Sequence, residues 1–536
     1  MQERADSRTL EMIKQLLSKA RINTKRWAEE PGTVLIVADQ KSIETANGQF
    51  ALCMAINMLA RLHPVLTHIG VSIPDPVVFS VNVPLFTGNK ILDAVLDFIN
   101  KLQLDCKVER VDLIHRGWDA VLSIGPSNLA IENTISIASD GWIAYVSADG
   151  LATVFTKNTN PIGAYAAACI GGMEVFKKVF LKKSNLLLPE KTPFDVRWRL
   201  KFIKDQLSFS AFDYRVNGDP ANNPSLPLTI NGRDLTIAGV GAGGGAAAYT
   251  LASLHDLEDR MTLIDPDEVK PSNMNRYVYA LQTDSASNRP KVEAVKEFLK
   301  DFKKLDVQAC QNSYQELTAS REIGNIDILI STVDTKETRR NMQWDMPRVI
   351  LDAAVVLTDF YVRRVDIGKS PCLICTHSPK EVERPLEDIL SEVTGLSASE
   401  IAKLRSTNAC LTQEYINRMT KSSEKYGFTL PSVGERFSDW FMMHCGELVL
   451  SATQETFPLP FATVLPGILI AGEVIKERHF PKDVLQNYYS YDMINLPASG
   501  MTEMKPVSNC IFCSSPTTKE KFAKKYDRLP TGQNHV

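Results

Sequence analysis

Short apolar runs alternate with helical patterns along most of the chain, and this alternation predicts the fold class. Residues 32–62 (GTVLIVADQKSIETANGQFALCMAINMLARL) have the pattern of a strand, a loop and an apolar helix. Residues 233–254 (RDLTIAGVGAGGGAAAYTLASL) have the same pattern in the second half. Further strand-like runs lie at 76–81, 119–125, 142–148, 260–265, 327–333 and 348–356. Strands that alternate with helices predict an α/β protein with parallel sheets.

Two distant apolar segments resemble each other and indicate an internal duplication. They are residues 160–180 (NPIGAYAAACIGGMEVFKKVF) and 459–480 (LPFATVLPGILIAGEVIKERHF). Four residues match at one common offset, namely Pro161 with Pro460, Glu174 with Glu473, Val175 with Val474 and Lys177 with Lys476. Convergence of two buried helices is the alternative. With the strands before each copy, the pattern favours two related Rossmann-like units, joined by the Pro-, Asn- and Gly-rich stretch 212–228.

A glycine-rich turn in the second copy predicts a nucleotide site. Gly239, Gly241 and Gly244 have the spacing G-x-G-x-x-G between a strand and an alanine-rich helix. Backbone amides at such a helix N-terminus can closely approach phosphates. The matching turn of the first copy, at 38–49, has no such fingerprint. We therefore expect only the second half to bind a nucleotide.

Charged residues after the following strands favour ATP over a dinucleotide. Asp265 ends a strand at the place where a carboxylate binds ribose hydroxyls. The residues that follow it add polar and charged groups: Asp267, Asn273, Asn275, Arg276 and then Lys291 at a helix start. Cations beside a phosphate turn neutralise triphosphate charge, for which hydride transfer has no need. Asp334, at a further strand end, is suited to Mg²⁺.

Two C-x-x-C pairs predict a shared structural zinc. Cys372 and Cys375 form one pair, and Cys510 and Cys513 form the other. Four thiolates in two such pairs are typical of tetrahedral zinc. The alternatives are four unrelated thiols, or a redox pair. The redox interpretation is disfavoured by the prediction that neither motif begins a helix after a strand.

Together the motifs GVGAGG, LIDPDEVKPSNMNR, RPKVEA, STVDTKETR and the paired C-x-x-C resemble the adenylation domain of the ubiquitin-activating-enzyme superfamily, which includes ThiF and MoeB. The resemblance covers about residues 233–355, 371–376 and 459–513. It implies adenylation of the C-terminal glycine of a ubiquitin-like protein with Mg-ATP. The implied ATP-binding residues are Gly239, Gly241, Gly244, Asp265 (ribose), Asp267, Asn273 and Arg276 (phosphates), Lys291 (α-phosphate) and Asp334 (magnesium), with Arg276 and Lys291 also catalytic.

The same resemblance implies a role for the first half, because adenylation domains of this family work in pairs. The predicted fold is α/β, with two tandem Rossmann-like adenylation-type domains, the first inactive and the second active. Family members borrow an arginine from the paired unit, for which Arg21 or Arg26 is a candidate. The chain is then a pseudo-dimer that we expect to be monomeric.

Between the first zinc pair and the second apolar helix lies a long insertion, where thioester-forming members carry their catalytic cysteine. Cys410 follows Ser406, Thr407 and Asn408, which are good N-cap residues, and this predicts a helix that begins at Cys410. A thiol at a helix N-terminus has a lowered pKa. Cys445 lies among aromatic and methionine residues, which is typical of a core thiol. The open alternatives are Cys445 or no catalytic thiol.

The expected domains follow from these motifs. They are an inactive domain at 1–215, the first part of the active domain at 216–376, a mainly helical catalytic-cysteine insertion at 377–455 and the rest of the active domain at 456–536. The 23 residues after Cys513 are too few for the C-terminal ubiquitin-like domain that eukaryotic members use to recruit a conjugating enzyme. This compact arrangement is similar to the activating enzymes of bacterial ubiquitin-like conjugation systems linked to phage defence.

The composition of the chain reduces the number of partner classes to be expected. The formal net charge is −3, which gives no indication of nucleic-acid binding. No apolar run reaches membrane-spanning length, and the charged N-terminus has no signal-peptide core, so we expect a cytoplasmic protein. The expected partners are a ubiquitin-like protein and a conjugating enzyme.

Three other functions are weighed. Adenylation of a small molecule, peptide or tRNA is disfavoured by the insertion and its thiol. An NAD-dependent oxidoreductase is disfavoured by Arg276, Lys291 and Asp334. A non-catalytic scaffold is disfavoured by the complete ATP set.

Overall fold

The structure is a computed structural model. It describes residues 7–17, 24–112, 117–127, 133–148, 155–187, 201–227, 229–231, 234–254, 257–302, 304–320, 326–356, 359–367, 369–377, 386–426, 428, 430–437, 440–441, 458–481, 483–485, 488–493, 501–502 and 504–526. No helix among these residues is long and apolar enough to cross a membrane.

The first half is built on a seven-stranded sheet with the order β3-β2-β1-β4-β5-β6-β7. Its strands are β1 (Thr33–Ala38), β2 (His68–Ser72), β3 (Lys107–Arg110), β4 (Ala120–Ile124), β5 (Thr134–Asp140), β6 (Ile143–Ser147) and β7 (Gln206–Ser210). The first five are parallel, and β6 and β7 are antiparallel to their neighbours. Its helices are α1 (Ser7–Leu17), α2 (Thr24–Glu29), α3 (Gln40–Ile43), α4 (Ala46–Leu59), α5 (Ile91–Leu102) and α6 (Pro161–Leu187).

The second half is built on a nine-stranded sheet with the order β11-β10-β9-β12-β13-β14-β15-β16, with β8 paired to β10. Its strands are β8 (Ile230–Asn231), β9 (Leu235–Ala238), β10 (Leu257–Ile264), β11 (Leu305–Cys310), β12 (Ile328–Ser331), β13 (Val349–Val356), β14 (Asp359–Val365), β15 (Tyr488–Asp492) and β16 (Met501–Thr502).

Eleven helices are described in the second half and its insertion. They are α7 (Ala242–Ala252), α8 (Gln282–Ala286), α9 (Lys291–Leu299), α10 (Tyr314–Ala319), α11 (Lys336–Met342), α12 (Leu373–Thr376), α13 (Leu386–Thr394), α14 (Ala398–Thr407), α15 (Gln413–Tyr426), α16 (Pro460–His479) and α17 (Pro516–Tyr526). Two short 3-10 helices lie at Pro271–Asn273 and Gln343–Asp345.

The two sheets have one topology, which confirms the predicted tandem Rossmann-like units. Strands β9 to β15 repeat the order and directions of β1 to β7, with four to six residues of each parallel pair in register. Helices α6 and α16 begin at the matched prolines Pro161 and Pro460. They pack closely, since a methyl group added at Gly172 would lie 2.5 Å from the Phe461 ring. One continuous hydrophobic cluster runs through both halves.

The matched glutamates and lysines form the same buried ion pair in both halves. Glu174 pairs with Lys177, and Glu473 pairs with Lys476, all four nearly inaccessible to solvent. Each lysine also donates to a backbone carbonyl, Lys177 to residue 201 at 2.6 Å and Lys476 to residue 212 at 2.7 Å. Each glutamate accepts from a backbone amide, that of residue 203 at 3.2 Å and that of residue 485 at 2.9 Å. The duplication therefore extends to individual polar contacts.

The prediction of a strand at 76–81 is wrong. This stretch makes an isolated bridge from Val78 to Lys90, and the amide of Phe79 donates to the carbonyl of Asn89 at 2.9 Å. The second parallel strand of the first sheet is β2 instead. Val77, Phe79 and Val81 pack on the core from a loop, and Pro76 has no amide proton for a ladder.

The insertion has a core of its own. Helices α13, α14 and α15 surround an apolar cluster that is separate from the main core: Leu390, Val393, Leu396, Ile401, Leu404, Leu411, Met419, Phe428, Phe437 and Trp440. The mainly helical character predicted for this region is therefore observed in its described residues.

Candidate functional site

The glycine turn lies at the carboxyl end of β9, and each glycine has a separate steric role. Gly239 has φ +85°, and a methyl group there would lie 2.7 Å from the backbone of Thr332 and Val333 after β12. At Gly244 it would lie 2.1 Å from the Gly239 carbonyl oxygen. At Gly241 its nearest neighbour within 4 Å would be the Tyr277 hydroxyl, at 3.5 Å. Two glycines thus permit close packing, and the third leaves space at the start of α7.

Asp265 follows β10, and its carboxylate holds the glycine turn by hydrogen bonds to backbone amides. Its Oδ2 accepts from the amide of Val240 at 2.7 Å, and its Oδ1 accepts from the amide of Asp267 at 3.0 Å. The side chain is only 6% exposed, whereas that of Asp267 is 63% exposed. Burial raises the pKa of Asp265, and the nearby Lys291 partly offsets this rise.

Lys291 begins α9, as predicted, and faces both carboxylates. Its Nζ lies 2.7 Å from Asp267 Oδ2 and 3.3 Å from Asp265 Oδ1. Burial alone lowers the pKa of Lys291, but the nearby Tyr277, Asp265 and Asp267 raise it above its ordinary value. The ammonium is therefore a fixed positive charge at neutral pH.

The segment after Asp267 crosses the front of the turn and carries the other cation. The Arg276 guanidinium donates to the Ser272 carbonyl at 2.9 Å and to Asn275 Oδ1 at 2.8 Å. Its central carbon lies 5.4 Å from the centre of the Tyr277 ring, and Lys291 Nζ lies 5.8 Å from the same point. Arg276, Lys291 and the start of α7 therefore lie close together around Tyr277. Asn273 caps its own short 3-10 helix by accepting from the Lys270 amide at 2.9 Å.

Asp334 follows β12 on the other side of the glycine turn and is exposed. Next to it, Arg339 donates to the carbonyl of Val333 and pairs with Asp352 in the middle of the sheet. Asp352 also accepts from Ser331 at 2.9 Å and from Arg363 at 2.6 Å. Burial would raise the pKa of Asp352, but the two guanidinium groups hold it well below its ordinary value. This buried network fixes the backbone that carries Asp334.

These residues fit Mg-ATP. The α7 N-terminus has no side-chain cap, so its amides are available to an anion. Two cations, Arg276 and Lys291, stand beside it, and the exposed carboxylate of Asp334 is suited to a hard divalent cation.

In the first half, protein fills the corresponding place. Asp39 caps α3 by accepting from the amides of Lys41 at 2.9 Å and Ser42 at 3.1 Å. A methyl group added at Gly125, after β4, would lie 2.0 Å from Ser42 Oγ and 2.3 Å from Asp39 Oδ2. The α3 turn therefore packs directly on the next strand end, where the second half has its glycine turn.

The two C-x-x-C pairs meet in one cluster. The sulfur atoms of Cys372, Cys375, Cys510 and Cys513 all lie within 4.8 Å of one another. The sulfurs of Cys372 and Cys510 are 3.4 Å apart, as are those of Cys375 and Cys513. Four thiolates on a tetrahedral zinc would be about 3.8 Å apart, so the set fits this ion. The prediction that neither motif begins a helix is wrong, because Cys372 is the N-cap residue of the one-turn α12.

The surroundings of Cys410 differ from the prediction. Ser406 and Thr407 lie in the last turn of α14, and Asn408 ends that helix in the left-handed conformation, with φ 47°. The next helix, α15, begins only at Gln413. Cys410 lies between them in a short backbone bridge to Arg436, and it is exposed. It does not cap a helix; the other candidate, Cys445, lies outside the described residues.

The structure also bears on Arg21 and Arg26, the two candidates for an arginine supplied by the first half. Arg21 lies outside the described residues, and Arg26 is exposed on α2, which packs on α1 and α6. One contact of the first half with the segment that carries Arg276 comes from α1, where Thr9 Oγ1 lies 3.5 Å from Asn275 Nδ2. Arg8 precedes Thr9 on this helix.

Comparison with known proteins gives the family. A model of the ThiF family matches residues 229–512, which is more than half of the chain. The chain belongs to the ThiF family. A model of the BilD N-terminal domain matches residues 33–185, from β1 to the end of α6. The uncharacterized protein y4jF of Sinorhizobium fredii is 25% identical to the chain over 479 residues, which cover 86% of the chain and 85% of that protein.

Membership of the ThiF family makes this an adenylating-type enzyme, of a family that uses Mg-ATP to activate ubiquitin-like proteins. The matched region includes the glycine turn, both cations, Asp334 and three of the four clustered cysteines, and Cys513 lies one residue beyond it. The Arg339–Asp352 network was missed by the sequence analysis. Its one sequence signal is an aspartate within the apolar run VILDAAVV, since a charge there must be paired when it is buried.

Proposed function

We propose that this ThiF-family chain activates the C-terminal glycine of a ubiquitin-like protein by adenylation and then carries it as a thioester on Cys410. A conjugating enzyme then receives the acyl group. The domains would be those expected from the sequence, at 1–215, 216–376, 377–455 and 456–536.

Adenylation requires that a carboxylate attack the α-phosphorus of ATP while pyrophosphate leaves. In this proposal Asp265 binds the ribose, with Asp267 beside it. Asn273, Arg276 and Lys291 hold the phosphates, with the last two neutralising charge that develops in the transition state. Bound Mg²⁺, held by Asp334, would neutralise the leaving pyrophosphate. Gly239, Gly241 and Gly244 permit the phosphates to approach the α7 amides.

The second step uses the insertion. The Cys410 thiolate attacks the acyl carbon of the adenylate, the new C–S bond forms, and the C–O bond to AMP breaks. AMP leaves with the bonding electron pair, and the thiol proton passes to water. The exposure of Cys410 supports this role, because an attacking thiolate must be accessible.

We further propose Arg8 as the arginine that the first half supplies. The support is the position of α1, whose Thr9 lies against Asn275 in the phosphate-binding segment.

The observation that carries the proposal is the convergence of Gly241, Tyr277, Arg276 and Lys291 at one uncapped helix N-terminus. The test is ATP–pyrophosphate exchange with small ubiquitin-like proteins that end in glycine. We expect exchange that depends on the modifier and disappears when its terminal glycine is deleted. Exchange that requires a small molecule, a peptide or tRNA instead would favour the alternative adenylation function. Absence of exchange with every acceptor would overturn the proposal.

A further inference from the structure

Besides the α1 contact at Thr9, the first half contacts the phosphate-binding segment through the end of a second helix, α4. Asn57 lies on α4, and Arg61 follows one turn later, just beyond the helix C-terminus. Both belong to the half without a glycine turn. Asn57 is fully buried, and Arg61 is 1% exposed.

Three donors of these two side chains end on backbone carbonyls of the second half, and Asn57 also faces the Tyr249 side chain on α7. Arg61 donates from Nη1 to residue 274 and from Nη2 to residue 280, both at 2.9 Å. Asn57 donates from Nδ2 to the carbonyl of residue 278 at 2.7 Å. The third donor of Arg61, Nε, bonds to Asn57 Oδ1 at 2.8 Å, so the two side chains form one unit.

The three carbonyls belong to the stretch 274–280, here called the crossing segment. It contains Asn275, Arg276 and Tyr277, which form the front of the candidate ATP site. Because the acceptors lie at both ends and in the middle of this stretch, the two side chains define its path. The planar guanidinium reaches two carbonyls at once, which a lysine ammonium on a single stem cannot do with the same geometry.

The burial of the Arg61 guanidinium costs more free energy than a purely structural role requires. Burial of a cation without a counter-charge costs free energy. Within the described part of the chain, no carboxylate lies within ion-pair distance of Arg61. The hydrogen bonds to the carbonyls of residues 274 and 280 offset part of this cost.

We propose that Arg61 and Asn57 are positioning residues through which the first half holds the crossing segment in its ATP-binding shape. The inference rests on the proposed function, since it assigns a task to a half that carries no nucleotide turn. The first half is then required for adenylation, because its contacts with the crossing segment hold Arg276 and Tyr277 in position.

The test compares two variants that each remove a buried cation bonded to backbone carbonyls. Arg61→Met removes the contact with the crossing segment. Lys183→Met is the matched control, because Lys183 Nζ donates to the Pro64 carbonyl at 2.8 Å and lies entirely within the first half. Affinity for Mg-ATP is measured by calorimetry. We expect a Kd increase on the order of tenfold or more for Arg61→Met, because displacement of the phosphate-binding groups weakens binding. The control should stay within about twofold of the wild type.

Hydrogen exchange without nucleotide provides the second readout. Amides of the crossing segment should exchange faster in Arg61→Met, while amides of α7 keep their wild-type rates. Arg61→Lys should fall between, since it retains the charge and one donor. If Arg61→Met does not fold, Asn57→Ala replaces it, because it removes the bond to residue 278 and the partner of Arg61 Nε.

The outcomes separate this inference from the proposed function. Wild-type affinity and wild-type exchange of the crossing segment in a folded Arg61→Met or Asn57→Ala protein would overturn the positioning role. An equal loss of ATP affinity in Lys183→Met would also overturn it, since the effect would then be general destabilisation. A wild-type protein that binds no Mg-ATP would overturn the proposed function, whereas the exchange comparison would still test the contact.

Discussion

Asp334 differs from the buried Asp265 of the glycine turn, because its side chain is exposed while its backbone is fixed. Asp265 is buried and bonded to two amides, so its removal would damage the turn itself. Asp334 has Arg339 and Asp352 beneath it, and these hold the loop without using the Asp334 carboxylate. This residue can therefore be changed to test chemistry separately from folding.

Asp334→Asn should lower ATP–pyrophosphate exchange by about 100-fold or more, because a metal at this position would contribute several kcal/mol to the transition state. Thermal stability should remain that of the wild type. Asp306→Asn, at an exposed carboxylate on β11, is the matched control and should exchange normally. Normal exchange in Asp334→Asn would remove this residue from the site.

Cys410 tests the division between the two chemical steps. Cys410→Ala should exchange pyrophosphate near the wild-type rate, since no ATP-site residue lies in the insertion. It should form no adduct with the modifier that dithiothreitol releases. Non-reducing electrophoresis measures the adduct. Loss of the adduct in Cys445→Ala but not in Cys410→Ala would transfer the nucleophile to Cys445, and loss of exchange in Cys410→Ala would contradict the two-step scheme.

At the scale of elements, the cysteine cluster joins two distant parts of the chain. It connects α12 to the segment before α17, and its sulfur atoms belong to a small apolar core with Leu373 and Phe512. Cys510→Ser should therefore reduce bound zinc from one per chain to much less and lower the melting temperature, because zinc binding contributes to folding. Elemental analysis and thermal unfolding measure these effects. Cys106→Ser, at a buried cysteine outside the cluster, should keep its zinc, and zinc-free wild-type protein would refute the site.

The same buried ion pair is present in both halves, so one prediction about unfolding free energy applies to each half. Lys476→Met leaves Glu473 buried, with Tyr214 and one amide as its remaining partners among the described residues, and should cost about 3–5 kcal/mol of unfolding free energy. Lys177→Met should cost a similar amount, because that pair makes matching backbone contacts. Lys178→Met, at the half-buried residue that follows Lys177, should cost much less, about 1 kcal/mol. Denaturant unfolding measures all three, and a loss in only one half would contradict the structural equivalence.

Particular residues show what the sequence can and cannot predict. Gly239, Asp265 and Lys291 were found because turn and strand-end positions follow from local order. The four cysteines were grouped by their spacing alone. Arg61 and Asn57 were not found, because their acceptors lie 213 to 221 positions away and are backbone carbonyls, which any sequence supplies. The helix start at Cys410 was misplaced because Asn408 favours a left-handed helix end as well as an N-cap.

At the scale of the whole molecule, one chain contains two copies of one fold with different tasks. The second copy leaves space at Gly241, where we propose that phosphates bind, whereas the first fills the same place with α3. The shared core and the contacts of α1 and α4 with the crossing segment are the basis for the proposal that the first copy supports the second. In the described residues, the insertion of the second half has a core of its own, and Cys410 is exposed in it.

The most direct test of this account is intact-mass spectrometry of the wild-type chain after incubation with Mg-ATP and a modifier that supports exchange. The account predicts one adduct per chain, with the mass of the modifier less one water, formed only with ATP, released by dithiothreitol and absent in Cys410→Ala. Exchange and AMP release without any thiol-sensitive adduct would contradict it, because the chain would then adenylate its substrate and carry no thioester.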